Sequence, residues 1–148
     1  MPRGHAERNS GTGTAFHLVS GLEFAPLPTA IACARLHAVA VLYEWRLRDL
    51  ADDAEMIVSE LMTNAQRASV GLDGPPPIAL RLLADMERLI IEAWDYSPHG
   101  VTPAAPDQDA EFGRGLLIVE ALSTRWGQWR TGYRRKAVWA ELEIPGPR

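Results

Sequence analysis

The stretch around Glu60-Leu61-Met62-Thr63-Asn64-Ala65 constrains this chain most, because it joins a one-sided apolar stripe to two polar groups on the stripe's edge. Ala54, Ile57, Val58, Leu61, Met62 and Ala65 recur at helical spacing, which predicts a helix that buries one face against another layer. At about 100° per residue, Glu60 and Asn64 project together from the flank of that stripe. A flank position lies neither in open water nor deep in the core, and there a helix can offer polar groups to a cleft. A carboxamide oxygen is a hard ligand suited to Mg²⁺, and a carboxylate can orient or deprotonate a nucleophile. By spacing alone, a solvated helix flank is the more common setting for a glutamate such as Glu60. Asn64 is less at ease in a helix, since its side chain competes for backbone hydrogen bonds.

The rest of the chain supplies the layer on which this helix packs. Ala15-Phe16-His17-Leu18-Val19 reads as a short first strand. Pro26 and Pro28 then precede an apolar-periodic run from Thr29 to about Leu47, a first helix. Arg48-Asp49-Leu50 breaks it, and the second helix runs from about Ala51 to Ser69, with Asp52 and Asp53 complementing the dipole in its first turn. Gly71-Leu72-Asp73-Gly74-Pro75-Pro76-Pro77 is a loop. Two apolar runs follow, 78–83 and 89–95, connected through Asp85-Met86-Glu87-Arg88 as a hairpin. Residues 96–112 hold three prolines and few apolar residues, a loop long enough to point to function. A short helix opens near Gly113-Arg114-Gly115 and runs through Leu122. Two last strands, Arg125–Arg130 and 136–144, flank a turn at Gly132-Tyr133. The order βααββαββ predicts an α+β fold: a two-layer sandwich of a mixed, mainly antiparallel sheet with about three helices on one face. Residues 1–13 lack periodicity and read as a disordered tail, and 14–148 as a single domain.

Composition narrows the function classes. The chain has 148 residues, 47% hydrophobic and 23% charged, as expected of a soluble globular protein. No apolar run reaches the ~18 residues that span a bilayer, and the polar start lacks an apolar signal core, so a cytoplasmic location is expected. The single Cys33 excludes an intramolecular disulfide. A net charge of −4 gives no global attraction to nucleic acid.

Two further signals carry chemistry. Asp95 ends an apolar strand and enters the turn Tyr96-Ser97-Pro98-His99-Gly100. A carboxylate at a strand's end can accept a hydrogen bond from an exocyclic amine such as that of adenine, although an Asx-type turn places Asp there as well. Gly113-Arg114-Gly115-Leu116 puts two glycines at a helix start, where backbone N–H groups and the dipole favour an anion and Arg114 can reach a terminal phosphate. No Gly-Lys-Ser/Thr is present, which disfavours a P-loop enzyme. His17, His37 and His99 lack metal-ligand spacing, and Asp95, Ser97 and His99 crowd one turn rather than surround a cleft as a hydrolase triad does. Arg130, Arg134, Arg135 and Lys136 read as a solvated hairpin end. Trp126 and Trp139 are expected in the core or at an interface.

Taken in order, Glu-x-x-x-Asn on a helix, a strand ending in Asp, a loop and Gly-x-Gly at a helix start resemble the Bergerat ATP-binding fold (GHKL) of histidine kinases, heat-shock chaperones, type II topoisomerases and mismatch-repair ATPases. The segments 58–65 and 113–122 look most like the stand-alone bacterial branch, the anti-sigma-factor serine/threonine kinases. The resemblance covers about 25–144. It implies ATP and Mg²⁺ as cofactors, with Asn64 holding Mg²⁺ and Glu60 acting as base or orienter for the attacking hydroxyl. It implies Asp95 as acceptor for the adenine amino group, and Arg67, Ser97, Gly100, Gly113, Arg114, Gly115 and Leu116 as further nucleotide contacts. Residues 97–112 become a short lid over the nucleotide.

The same resemblance implies phosphorylation of a serine on an antagonist protein, control of a transcription factor by capture of a sigma factor, and a homodimer. The net charge and the lack of a spanning apolar run lead to an expectation of no direct contact with nucleic acid or a membrane. The chain departs from the pattern where Ser97 stands for a usual Gly, where the later glycine of that segment is matched only by His99-Gly100, where Ala68 stands for a frequent His, and where Ala137 stands for a frequent Thr that reaches the adenine edge. Losing one neutral hydrogen bond costs about 1 kcal/mol. The alternative is a non-catalytic or nucleotide-free module that sequesters a sigma factor or another partner.

Overall fold

The computed structural model describes residues 16–98, 111–132 and 135–146, with side chains from Arg114 onward in the helix that opens at Glu111. The expected tail at 1–13, most of the expected lid, His99, Gly100, Tyr133 and Arg134 lie outside the described residues.

The chain runs β1 (Leu18–Phe24), α1 (Thr29–Glu44), a 3₁₀ turn (Arg48–Leu50), α2 (Ala51–Val70), β2 (Ile78–Ala84), β3 (Arg88–Asp95), α3 (Glu111–Leu122), β4 (Arg125–Thr131) and β5 (Arg135–Glu143). The five strands form one sheet in the order β1-β2-β3-β5-β4. All four pairings are antiparallel, so the parallel component implied by a mixed sheet is absent among the described residues. The first strand lies later than the run 15–19. Its register matches Leu18 with Ala84 and Phe24 with Ile78, and this turns Leu18, Ser20, Leu22 and Phe24 toward the helices.

The apolar stripe of α2 behaves as its spacing requires. Ala54, Ile57, Val58, Leu61, Met62 and Ala65 are all buried, and the helix packs on α1, α3, β2 and β3. The buried side of α1 is mostly alanine (Ala30, Ala34, Ala38), with Val41 and Leu42 in the last turn. Small side chains let α1 lie close against α2. The helix ends three residues before Leu47, because Arg46 adopts φ +60° and reverses the chain. Its N–H bonds to the Tyr43 carbonyl at 3.1 Å and that of Leu47 to the Leu42 carbonyl at 2.8 Å, closing the last turn as a Schellman motif.

One face of the sheet joins the three helices in the main core, through Leu80, Leu82, Leu89, Ile91, Ala93, Val138, Ala140 and Leu142. On the opposite face, Leu83, Ile90 and Trp139 form a second, smaller cluster with Phe16 and Trp129. Trp126 sits in the main core and Trp139 in the second cluster. Asp85 caps the β2–β3 turn by accepting from the N–H groups of Glu87 and Arg88 at 2.8 and 2.9 Å. Among the described residues, no helix is long and apolar enough to cross a membrane.

Candidate functional site

The sequence-predicted residues fall into two clusters along the helix-facing side of the sheet. The first is built on α2. Glu60 and Asn64 share its flank, Glu60 half-buried and Asn64 buried at 5% exposure. The amide nitrogen of Asn64 has no hydrogen-bond partner among the described residues. An unsatisfied buried donor costs about 1–3 kcal/mol, so a ligand that satisfies it recovers that energy.

Helix α3 meets α2 at this point, and Gly115 decides how closely. A Cβ at position 115 would lie 2.2 Å from Glu60 Oε2, a distance no real contact allows. The glycine therefore leaves room for the Glu60 carboxylate to rest against the opening turns of α3. That helix starts at Glu111, two residues ahead of the expected start, so Gly113, Arg114 and Gly115 all lie in its first two turns. Arg114 is exposed, as is Arg67 one turn beyond Asn64. The Leu116 side chain lies in the main core at 1% exposure. On the outer side, Glu60 also lines an open groove of about 420 Å³ with Arg35, Asp52, Glu55, Met56 and Ser59. Arg35 bridges to Glu55 at 2.9 Å and ties α1 to α2 beside that groove.

The second cluster closes the end of β3. Alternation along the strand puts Asp95 on the same face as Leu89, Ile91 and Ala93, which are in the core under α2. Asp95 is 2% exposed. Its Oδ1 accepts the Ser97 N–H at 2.7 Å, the Asx-type turn that the sequence allows. Ser97 is itself buried, and its carbonyl accepts from Arg130 Nη1 at 2.9 Å.

Lys136 is the residue that sequence reasoning misplaced. A solvated hairpin end is expected there, whereas the lysine is 2% exposed, with Nζ 3.4 Å from Asp95 Oδ2. The register is the cause: Lys136 pairs directly with Asp95 across β3–β5 and shares its face with Val138, Ala140 and Leu142. Apolar alternation in 136–142 carried the signal. Burial pushes the Asp95 carboxyl up, against the pull of Lys136 and the Ser97 N–H. Burial pushes the Lys136 ammonium down, against the attraction of Asp95 and with added repulsion from Arg130.

The phosphate end of a nucleotide site fits these residues. A buried amide nitrogen lacks a partner among the described residues, a carboxylate stands one helical turn away, and a glycine opens the space between two helices. An oxyanion with a divalent cation suits that donor set. The base end is different, because the carboxylate that would read an amine already holds an ammonium.

No match is found among curated protein sequences. A model of the histidine kinase-like ATPase domain matches residues 24–142, which span every element from the end of β1 to the end of β5. The chain belongs to the histidine kinase-like ATPase domain family, and with it to an ATP-binding fold.

Proposed function

We propose that this protein binds Mg–ATP between α2 and the opening turns of α3, and that it is a serine/threonine kinase of the anti-sigma-factor type. The observation that carries the reading is the seating of the Glu60 carboxylate against Gly115, with the unpartnered Asn64 amide one turn along α2. Phosphoryl transfer asks mainly for positioning and charge neutralisation, which this small set can provide. Asn64 would hold Mg²⁺, which supplies charge neutralisation at the phosphates. The Glu60 carboxylate would accept the proton of an incoming serine hydroxyl. The open groove of about 420 Å³ that Glu60 helps to line supports that role. Arg114, exposed on α3, would meet terminal phosphate charge. The protein substrate would be a small antagonist, and capture of a sigma factor, by a homodimer of this chain, would be the regulatory output.

A second reading is favoured by the sealed Asp95–Lys136 pair: a module in which nucleotide plays no part and the fold serves protein contacts. Calorimetric titration of Mg–ATP separates the two. Micromolar binding to the wild type, lost in Asn64→Ala, is the expected result. Glu60→Ala is expected to keep that binding and to lose transfer of the γ-phosphoryl group to a serine substrate. No heat and no thermal shift with the wild type would remove the nucleotide reading, and unimpaired transfer by Glu60→Ala would remove the catalytic role.

A further inference from the structure

The Asp95–Lys136 pair is hard to explain as a stabilising device. Both residues are 2% exposed, and burial pushes the Asp95 carboxyl up and the Lys136 ammonium down, away from the charged forms that the pair needs. Such pairs are often replaceable by apolar groups without loss of stability. Arg130 adds a second positive charge that repels Lys136. What the pair does accomplish is local. It sets an ammonium against one oxygen of a carboxylate whose other oxygen accepts the Ser97 N–H.

Each carboxylate oxygen can accept more than one donor, but an oxygen that already holds an ammonium is a poorer acceptor for the amino group of a base. An ammonium is the stronger donor for a carboxylate, because the hydrogen bond is charge-assisted. A neutral base amine that displaced Lys136 would replace that bond with a weaker one and leave a buried cation behind. The phosphate end carries no such competitor: Asn64 Nδ2 is unpartnered among the described residues.

We propose that Lys136 is an internal occupant of the base-reading position, so that Mg–ATP is held by its phosphates and adenine is scarcely distinguished from a base without the 6-amino group. Lys136 is thus a specificity-determining residue that acts through Asp95. The inference rests on the nucleotide-binding reading above, and the test separates the two.

The probes are Mg–ATP and Mg–ITP, whose bases differ by a 6-amino and a 6-oxo group, titrated by calorimetry into the wild type and Lys136→Met. The wild type is expected to bind both within about threefold of one another. Lys136→Met is expected to bind ATP about tenfold more tightly, with little change for ITP, so that a preference for adenine emerges. Lys136→Gln, neutral and of similar reach, is the second variant, and thermal melts establish that each variant is folded. A wild type that already favours ATP more than tenfold would overturn the proposal without needing any variant. So would folded variants whose ATP:ITP ratio is unchanged or whose ATP binding is lost. If only the variants bind ATP, the proposal is overturned, because the wild type would then not hold Mg–ATP by its phosphates. If neither wild type nor variants bind either nucleotide, the nucleotide-binding reading falls and the inference falls with it.

Discussion

Gly115→Ala tests the seating of Glu60 directly. A Cβ at this position would stand 2.2 Å from Glu60 Oε2 and 3.1 Å from its Cδ, but 3.4 Å from its Cβ. The carboxylate must therefore retreat by on the order of 1 Å to reach ordinary contact distance, while the α2 backbone can stay in place. Turning a glutamate off its preferred rotamer costs about 1 kcal/mol. Alanine is favoured over glycine in a helix by about 0.5–1 kcal/mol, which offsets much of that cost. The net effect on stability should stay within about 1 kcal/mol, or no more than about 4 °C in Tm. Positioning is affected far more, since a 1 Å displacement of a catalytic group costs about 10²-fold in rate. The assay measures γ-phosphoryl transfer from Mg–ATP beside the calorimetric Kd and a thermal melt. The expected outcome is a rate lowered about 10²-fold, with Kd within about threefold of wild type. A folded variant with the wild-type rate would refute the reasoning, and an equal loss of rate and affinity would assign Glu60 and Gly115 to binding alone.

Two further outcomes concern stability. Arg46 holds φ +60° at the end of α1, where a residue with a Cβ is strained, so Arg46→Gly should stabilise the protein by about 1 kcal/mol in chemical denaturation. Glu141 accepts two bonds from Arg125, at 3.0 and 3.1 Å, and one from Arg88 at 3.2 Å. Burial raises its carboxyl, but the Arg125 and Arg88 bonds outweigh this and hold it below the usual glutamate range. A folded-state value below the unfolded one means that the stabilisation is complete above the unfolded value of about 4.3 and fades as pH falls through the folded value. Glu141→Gln should cost roughly 1 kcal/mol at neutral pH and flatten the acid limb of the stability–pH curve below about pH 4. An unchanged acid limb would show that other carboxylates govern it.

The fold was legible wherever a single periodicity decided the outcome. The α2 stripe, the break at 48–50 and the β2–β3 turn follow from local pattern and turn chemistry, and α2, β2 and β3 begin and end within about one residue of the expected bounds. The first strand was less legible. Its polar and small residues Ser20, Gly21 and Glu23 weaken the apolar alternation, and only pairing with Leu80 and Leu82 reveals which side of it faces the helices. The end of α1 was missed for a related reason. Arg46 carries no sign of a positive φ, since glycine is the usual signal for that turn.

The two halves of the candidate site differ in the same way. Glu60 and Asn64 are coupled by helix geometry four residues apart, so sequence spacing alone brings them together. Gly115 against Glu60 needs the packing of α3 on α2, but a glycine before an apolar helical run hints at a close approach. Asp95 and Lys136 meet only through strand register, and a lysine after three arginines in a hairpin looks solvated. The alternation Lys136, Val138, Ala140, Leu142 nonetheless assigns the lysine to the apolar face, and a charge forced onto that face needs a buried counter-ion. Asp95 is the carboxylate directly opposite. A charged residue in phase with a buried strand face is therefore better read as paired than as solvated, and its partner is to be sought at the matching register of the neighbouring strand.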